Sequence, residues 1–227
     1  MHWPDTVTPI DETLRAIDDL ARAGKVLYAG LSNHPAWLTA TAVTMAELRA
    51  LLPVAGAQFE YSLIERTADR EIFPMAEAFG IGAALWSPLG GGVLTGKYRL
   101  GEKGRLTERG RMVRVENSPK RTAVVGAVVS AADGLGAPPG QTAFAWLLER
   151  AQRSPTGVVP IVGPRTLGQL QSYLAAVDLT IGHDVYQRLD EISRVDLGEP
   201  HASLHTEGDK ALGGNRETLR CHPVPTV

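Results

Sequence analysis

Short apolar runs alternate with longer stretches of helical periodicity along most of this chain, and that order leaves few folds open. Thr8 as N-cap, Pro9 at the first helical position and Asp11 in the first turn predict a helix carrying Leu14, Ile17, Leu20 and Ala21, which Gly24 ends. Residues 26–31 then predict a strand closed by Ser32-Asn33-His34, and residues 36–51 a helix with Leu38, Met45, Leu48 and Leu51 on one side. The same reading gives a strand at 54–61, a helix at 68–79 closed by Gly80, and a buried strand at 81–86. A long loop rich in Arg and Gly runs from Gly90-Gly91-Gly92 to Asn117. Ser118-Pro119 and Pro138-Pro139 open two further helices, residues 158–162 form a strand, and 166–176 and 183–192 form helices. From Gly198 onward the chain reads as a polar, irregular tail. Such alternation predicts a parallel sheet with helical crossovers, either doubly wound or a (β/α)8 barrel. In both architectures function sits at the C-terminal ends of the strands.

Charge and cysteine content narrow the classes. Lys and Arg total 23 against 25 Asp and Glu, which supplies no bulk field for wrapping nucleic acid or lying on an anionic membrane. The most apolar stretch, residues 122–132, is far short of the roughly 20 residues a membrane span needs. The single cysteine, Cys221, excludes an internal disulfide framework and fits a reducing compartment. With no charged-then-apolar signal segment at its start, the chain is expected to be cytoplasmic. His201 and His205 stand four apart, but Pro200, Ser203 and Thr206 favour neither a helix nor a third ligand, so no metal site is expected.

The residues after each strand share a chemistry. Ser32-Asn33 follow one strand, Gln58 and Tyr61 sit in the next, Trp86-Ser87-Pro88-Leu89-Gly90 end a third, and Gly163-Pro164-Arg165-Thr166 follow the last. A nicotinamide carboxamide needs a donor and an acceptor, which one Asn or Gln side chain supplies. Its ring needs a flat apolar face such as Trp86, and a pyrophosphate needs backbone N–H groups that glycine loops and helix N-termini bring close. Each residue also has an ordinary reading: Asn33 as a helix N-cap, Gln58 as a partner for buried backbone, Trp86 as core, the glycines as a turn, Arg165 as a solvated cation.

Taken in order, His2-Trp3-Pro4-Asp5, Gly30-Leu31-Ser32-Asn33, Gln58-Phe59-Glu60-Tyr61-Ser62, Trp86-Ser87-Pro88-Leu89 with Leu94-Thr95-Gly96-Lys97, and Pro160 to Thr166 with Gln169-Leu170 resemble the aldo-keto reductases. The resemblance runs from residue 2 to about 195 and implies a (β/α)8 TIM-barrel-type fold, here incomplete at about five of eight βα units. Residues 1–195 would be the partial barrel and 196–227 a C-terminal tail. It further implies reduction of an aldehyde or ketone by hydride transfer from NADPH. On that resemblance His2 orients the substrate carbonyl, while Ser32, Asn33 and Gln58 bind the carboxamide and Trp86 stacks on the nicotinamide. Ser87, Leu89, Gly91 and Gly96 would line the pyrophosphate path. Gly163, Arg165, Thr166 and Gln169 would contact the adenosine end, with Arg165 near the 2′-phosphate and favouring NADP.

Departures from the family pattern set further expectations. Ser172 and Tyr173 stand where an acidic residue and Asn are usual, and Pro164 removes a backbone N–H. The family's catalytic Asp, Tyr and Lys lie upstream of its His-Trp-Pro motif, and Tyr28, Tyr61, Tyr98 and Lys97 do not occupy the matching motifs. A truncated product or a misplaced start, catalytically impaired, is therefore expected; the alternative is a non-enzymatic nucleotide-binding remnant or regulatory subunit. A phosphate-binding isomerase sharing only the general layout fits the motif order poorly. The six Arg and three Lys of residues 97–121 suggest a loop closing over an anionic cofactor, against a plain solvated surface.

Overall fold

The computed structural model describes residues 1–100, 116–211 and 213–214. The expected cation-rich closing loop lies largely outside them, as does Cys221. The ordered elements are α1 (Ile10–Arg22), β1 (Ala29–Ser32), α2 (Ala36–Leu48), β2 (Val54–Glu60), α3 (Ile72–Ala78) and β3 (Gly82–Trp86). They continue with α4 (Pro119–Leu135), α5 (Pro139–Gln152), β4 (Val158–Pro160), α6 (Leu167–Ala175), α7 (His183–Ser193) and α8 (His201–Ala211). The four strands form one parallel sheet in the order β1-β2-β3-β4. Neighbours in sequence are thus neighbours in space, each pair joined by helical crossovers.

One face of the sheet carries the core. Phe59 and Leu85 point into a cluster with Phe73, Val124, Val128, Trp146 and Leu189 from the helices, and Leu31 and Val54 into a smaller one with Leu14, Ala42 and Ala46. On the opposite face Gly56, Gln58, Gly82, Ala84 and Val159 line an open hollow of about 570 Å3, and among the described residues no helix contributes to its lining. A doubly wound sheet covers both faces, so this arrangement selects the barrel type. Barrel closure is partial: among the described residues the sheet has four strands, and only Met1 continues it beyond β1. Its ammonium donates to Gly30 O at 2.9 Å, and its carbonyl accepts from Ser32 N at 2.8 Å.

Three local expectations are corrected. Thr8 does not cap α1; the helix starts after Pro9 without a side-chain cap, and Thr8 instead donates its hydroxyl (2.6 Å) and its N–H (2.7 Å) to the Asp5 carboxylate. The Thr8 hydroxyl, then the backbone N–H groups of Thr8 and Val7, hold the Asp5 carboxyl down at about 2. An NMR titration is expected to find it there, and Thr8→Ala to move it toward the ordinary 3.8. Secondly, α2 buries Thr39, Ala42 and Ala46, leaving Leu48 exposed. Small side chains let that helix lie close on the sheet, a choice that apolar periodicity alone does not reveal. Thirdly, the expected irregular tail contains α8, whose first residue is anchored by His201 Nε2 at 2.9 Å from Glu71 Oε1.

Among the described residues no helix is long and apolar enough to cross a membrane, and no group of three or more His, Cys, Asp or Glu is placed to hold a metal.

Candidate functional site

All the candidate loops leave the same end of the sheet, because its strands run parallel. At the end of β1 the backbone of Asn33 turns left-handed (φ 58°), a conformation Asn tolerates better than most residues. This turn aims its amide at the preceding residue and at two neighbouring segments. Nδ2 donates to His2 O at 3.1 Å and to Ser32 Oγ at 2.8 Å, while Oδ1 accepts from Trp86 Nε1 at 3.2 Å. Asn33 is therefore not a helix cap: α2 begins after Pro35 with no side-chain cap at all. Ser32 Oγ accepts from Asn33, which leaves its own proton to donate elsewhere. Gln58 sits next to Ser32 in the β1–β2 register and lines the open hollow with His2. The Gln58 side-chain amide makes no hydrogen bond to the described residues.

The second cluster is a groove of about 180 Å3 beyond the ends of β3 and β4, lined by Ser87, Leu89, Gly91, Gly92, Lys97, Gly163, Arg165, Gln169, Ser172 and Tyr173 among others. Its floor turns sharply: the lining residues Ser87, Gly91 and Gly92 all have positive φ, as do Gly90 and Gly96 in the same turn. Only glycine fits at position 90, where an added Cβ would stand 2.2 Å from Ile64 Cδ1. The Tyr98 hydroxyl donates to Gly91 O at 3.0 Å and steadies the turn.

Across the groove α6 begins. Thr166 Oγ1 accepts from Gln169 N at 3.3 Å, and Gln169 Oε1 accepts from the Arg165 backbone N–H at 2.7 Å. This reciprocal cap, a variant of the capping box, fixes the helix N-terminus and its partial positive charge at the groove wall.

The predicted residues thus fall into two adjoining groups. His2, Ser32, Asn33, Gln58 and Trp86 gather at the ends of β1 to β3, while Ser87, Leu89, Gly91, Gly163, Arg165 and Gln169 line the groove. Gly96 and Thr166 lie off the groove lining. An added Cβ at Gly96 would come within 3.3 Å of Val129 Cγ2, and Thr166 serves as the α6 cap. Lys97 was missed as a groove residue. Its signal was a cation directly after the glycine turn, in the stretch Leu94-Thr95-Gly96-Lys97. Tyr173, which occupies a departure from the family pattern, packs edge-on against Phe144 at the groove wall. Burial and Asp69 push the Tyr61 phenol far above its ordinary range, and its hydroxyl donates to Asp69 at 2.7 Å. It is a core group and has no part in the strand-end cluster.

A helix-backed parallel sheet, open on one face and loaded with polar groups at its C-terminal end, defines an incomplete α/β barrel. The model of the Aldo/keto reductase family matches residues 1–194, and the chain belongs to that family. It is 34% identical over 192 residues to an uncharacterized oxidoreductase of Bacillus subtilis, YrpG, covering 85% of this chain and 56% of the relative. It is 33% identical over 192 residues to human aldo-keto reductase family 7 member A3, covering 78% of this chain and 58% of the relative. The crystal structure of a thermostable aldo-keto reductase in complex with the inhibitor epalrestat superposes with a TM-score of 0.63 at 22% identity, over 85% of this chain and 58% of that one. The chain therefore spans somewhat over half the length of these relatives.

Proposed function

We propose that this chain carries the dinucleotide-binding side of an NADP-dependent aldo-keto reductase acting on small aldehydes or ketones. The observation that carries the reading is the meeting of an available amide and hydroxyl (Gln58, Ser32) with an adjoining glycine-floored groove that holds two cations, Lys97 and Arg165. The donor set fits the group: positive-φ glycines keep the groove floor free of side chains, and the α6 N-terminus and the two cations oppose phosphate charge. When bound, NADPH supplies the hydride. Gln58 and Ser32 hold the carboxamide, because the Asn33 amide is already engaged by His2, Ser32 and Trp86. Asn33 instead fixes the Trp86 indole edge, so that the ring plane is set before the nicotinamide arrives. His2, exposed beside the hollow, orients the substrate carbonyl.

Binding tests the reading directly. The chain is expected to bind NADPH in a calorimetric titration, and more tightly than NADH. Arg165→Ala is expected to weaken NADPH by roughly tenfold or more while changing NADH little, since a charge-assisted hydrogen bond contributes about 1.5–3 kcal/mol. Equal losses for both dinucleotides, or no binding of either, would remove the proposal. Turnover of aromatic aldehydes by these 227 residues alone is expected to be negligible, because a positioned general acid typically contributes about 10²–10⁴-fold. Neither Tyr61, committed to Asp69, nor Tyr98, whose hydroxyl donates to Gly91 O, is set up as that acid.

A further inference from the structure

One buried polar side chain beside the strand-end cluster has no part in the proposed function. His34 is 6% exposed and lines neither the hollow nor the groove, yet its Nδ1 stands 2.8 Å from Ser32 O. A carbonyl oxygen only accepts, so the imidazole donates there, as Nδ1–H can in either protonation state. The local sequence Ser32-Asn33-His34-Pro35 explains why a side chain has this task. In a four-residue turn the carbonyl of the first residue often accepts from the N–H of the fourth, and here the fourth is proline, which has none. The imidazole supplies the donor that Pro35 lacks.

That bond fixes one peptide plane. The unit joining Ser32 to Asn33 has its N–H on Gln58 O at 2.9 Å and its carbonyl on His34, so both of its polar ends are held. Asn33 leaves this plane at φ 58°, a conformation that persists in a residue other than glycine only where the surroundings impose it. From there its Nδ2 reaches Ser32 Oγ and its Oδ1 meets Trp86 Nε1. We propose that His34 is a positioning residue: through the Ser32–Asn33 peptide it holds the turn from which Asn33 sets the Trp86 indole. Its effect on the nicotinamide end rests on the dinucleotide reading, whereas its effect on the indole does not. A histidine that only fills space is best replaced by an apolar side chain of similar size. A donor at Nδ1 is best replaced by Asn, whose Nδ2 stands the same number of bonds from the backbone.

The test compares His34→Leu, which keeps the bulk and loses the donor, with His34→Asn, which loses bulk and keeps the donor. The Trp86 indole proton, assigned through Trp86→Phe, is expected to exchange roughly tenfold faster in His34→Leu and at the parent's rate in His34→Asn. In calorimetry His34→Leu is expected to weaken NADPH and NADH alike, by roughly tenfold, because the nicotinamide end is common to both. Adenosine 2′,5′-bisphosphate, which has no nicotinamide, is expected to bind as it does to the parent, whereas a general loosening of the fold would weaken it too. In an Asn33→Gly background His34→Leu is expected to change NADPH binding no further, since the amide it acts through is gone. Faster indole exchange in His34→Asn, unchanged exchange in His34→Leu, or a loss shared by the bisphosphate overturns the proposal. If His34→Leu does not fold, His34→Asn decides alone, parental exchange upholding the assignment and faster exchange overturning it. A parent that binds neither dinucleotide removes the cofactor reading, and His34 is then judged on the indole proton.

Discussion

Gly90→Ala is expected to destabilise the protein by about 2–5 kcal/mol, combining the cost of a left-handed alanine with overpacking of a filled site. At φ +56° the new Cβ would lie 2.2 Å from Ile64 Cδ1, and Ile64 is buried with little room to retreat. The residues around Ile64 are themselves fixed, since Ser62 and Glu65 exchange two backbone hydrogen bonds at 2.9 and 3.0 Å. Urea unfolding measures the effect as a lowered midpoint at unchanged slope. Adding Ile64→Ala relieves the overlap but not the backbone strain, so recovery is expected to be partial. A Gly90→Ala protein within about 0.5 kcal/mol of the parent would show that the turn does not pack as described.

Arg66→Met is expected to cost about 3 kcal/mol, the low end for breaking a buried ion pair, because it leaves Asp69 with only the Tyr61 hydroxyl and Asp190 with only the more exposed Arg194. Arg66 is 6% exposed, with Nε at 2.5 Å from Asp69 Oδ2, Nη1 at 2.9 Å from Asp190 Oδ1 and at 2.8 Å from Ser193 Oγ. Its guanidinium also lies 5.0 Å from the centre of the Trp146 ring. The cluster thereby ties the segment after β2 to α7 across the core. Burial by itself would raise the Asp190 carboxyl, but Arg66 and Arg194 outweigh it and hold the group below its ordinary value. A depressed carboxyl stabilises the fold above the unfolded-state value of 3.8, and that stability is lost as pH falls through the folded-state value. The parent is thus expected to keep this contribution down to about pH 4, and Arg66→Met to begin acid unfolding at higher pH. Identical acid limbs for the two proteins would exclude the pairing as their cause.

Much of this architecture was legible from local signals. The strand at residues 54–61 and that at 81–86 emerge within a residue of their observed bounds, as apolar runs closed by turns. Ser118, expected to cap a helix, accepts from Arg121 N at 3.3 Å as an N-cap should. Strand β1 begins three residues later than predicted, because Leu27 and Tyr28 are apolar without being buried. Residues 68–79 read as one helix but divide into a short 3-10 turn at Thr67–Asp69 and α3, with Asp69 drawn to Arg66 and Tyr61. In α2, hydrophobicity marked Leu48 while packing chose Ala42 and Ala46, since the distance from helix to sheet depends on both partners.

Periodicity, turn residues and five ordered motifs were enough to establish a parallel βα fold and its family, and they marked the strand ends as the place to look for a site. Those are properties of near neighbours in the chain, carried by backbone preference and by which side chains avoid water. Which amide remains available could not be read that way. Asn33 and Gln58 look equivalent as letters, yet one is consumed by His2, Ser32 and Trp86 and the other is not. That difference arises from hydrogen bonds across strand ends as many as 53 residues apart, which exist only once the sheet has assembled.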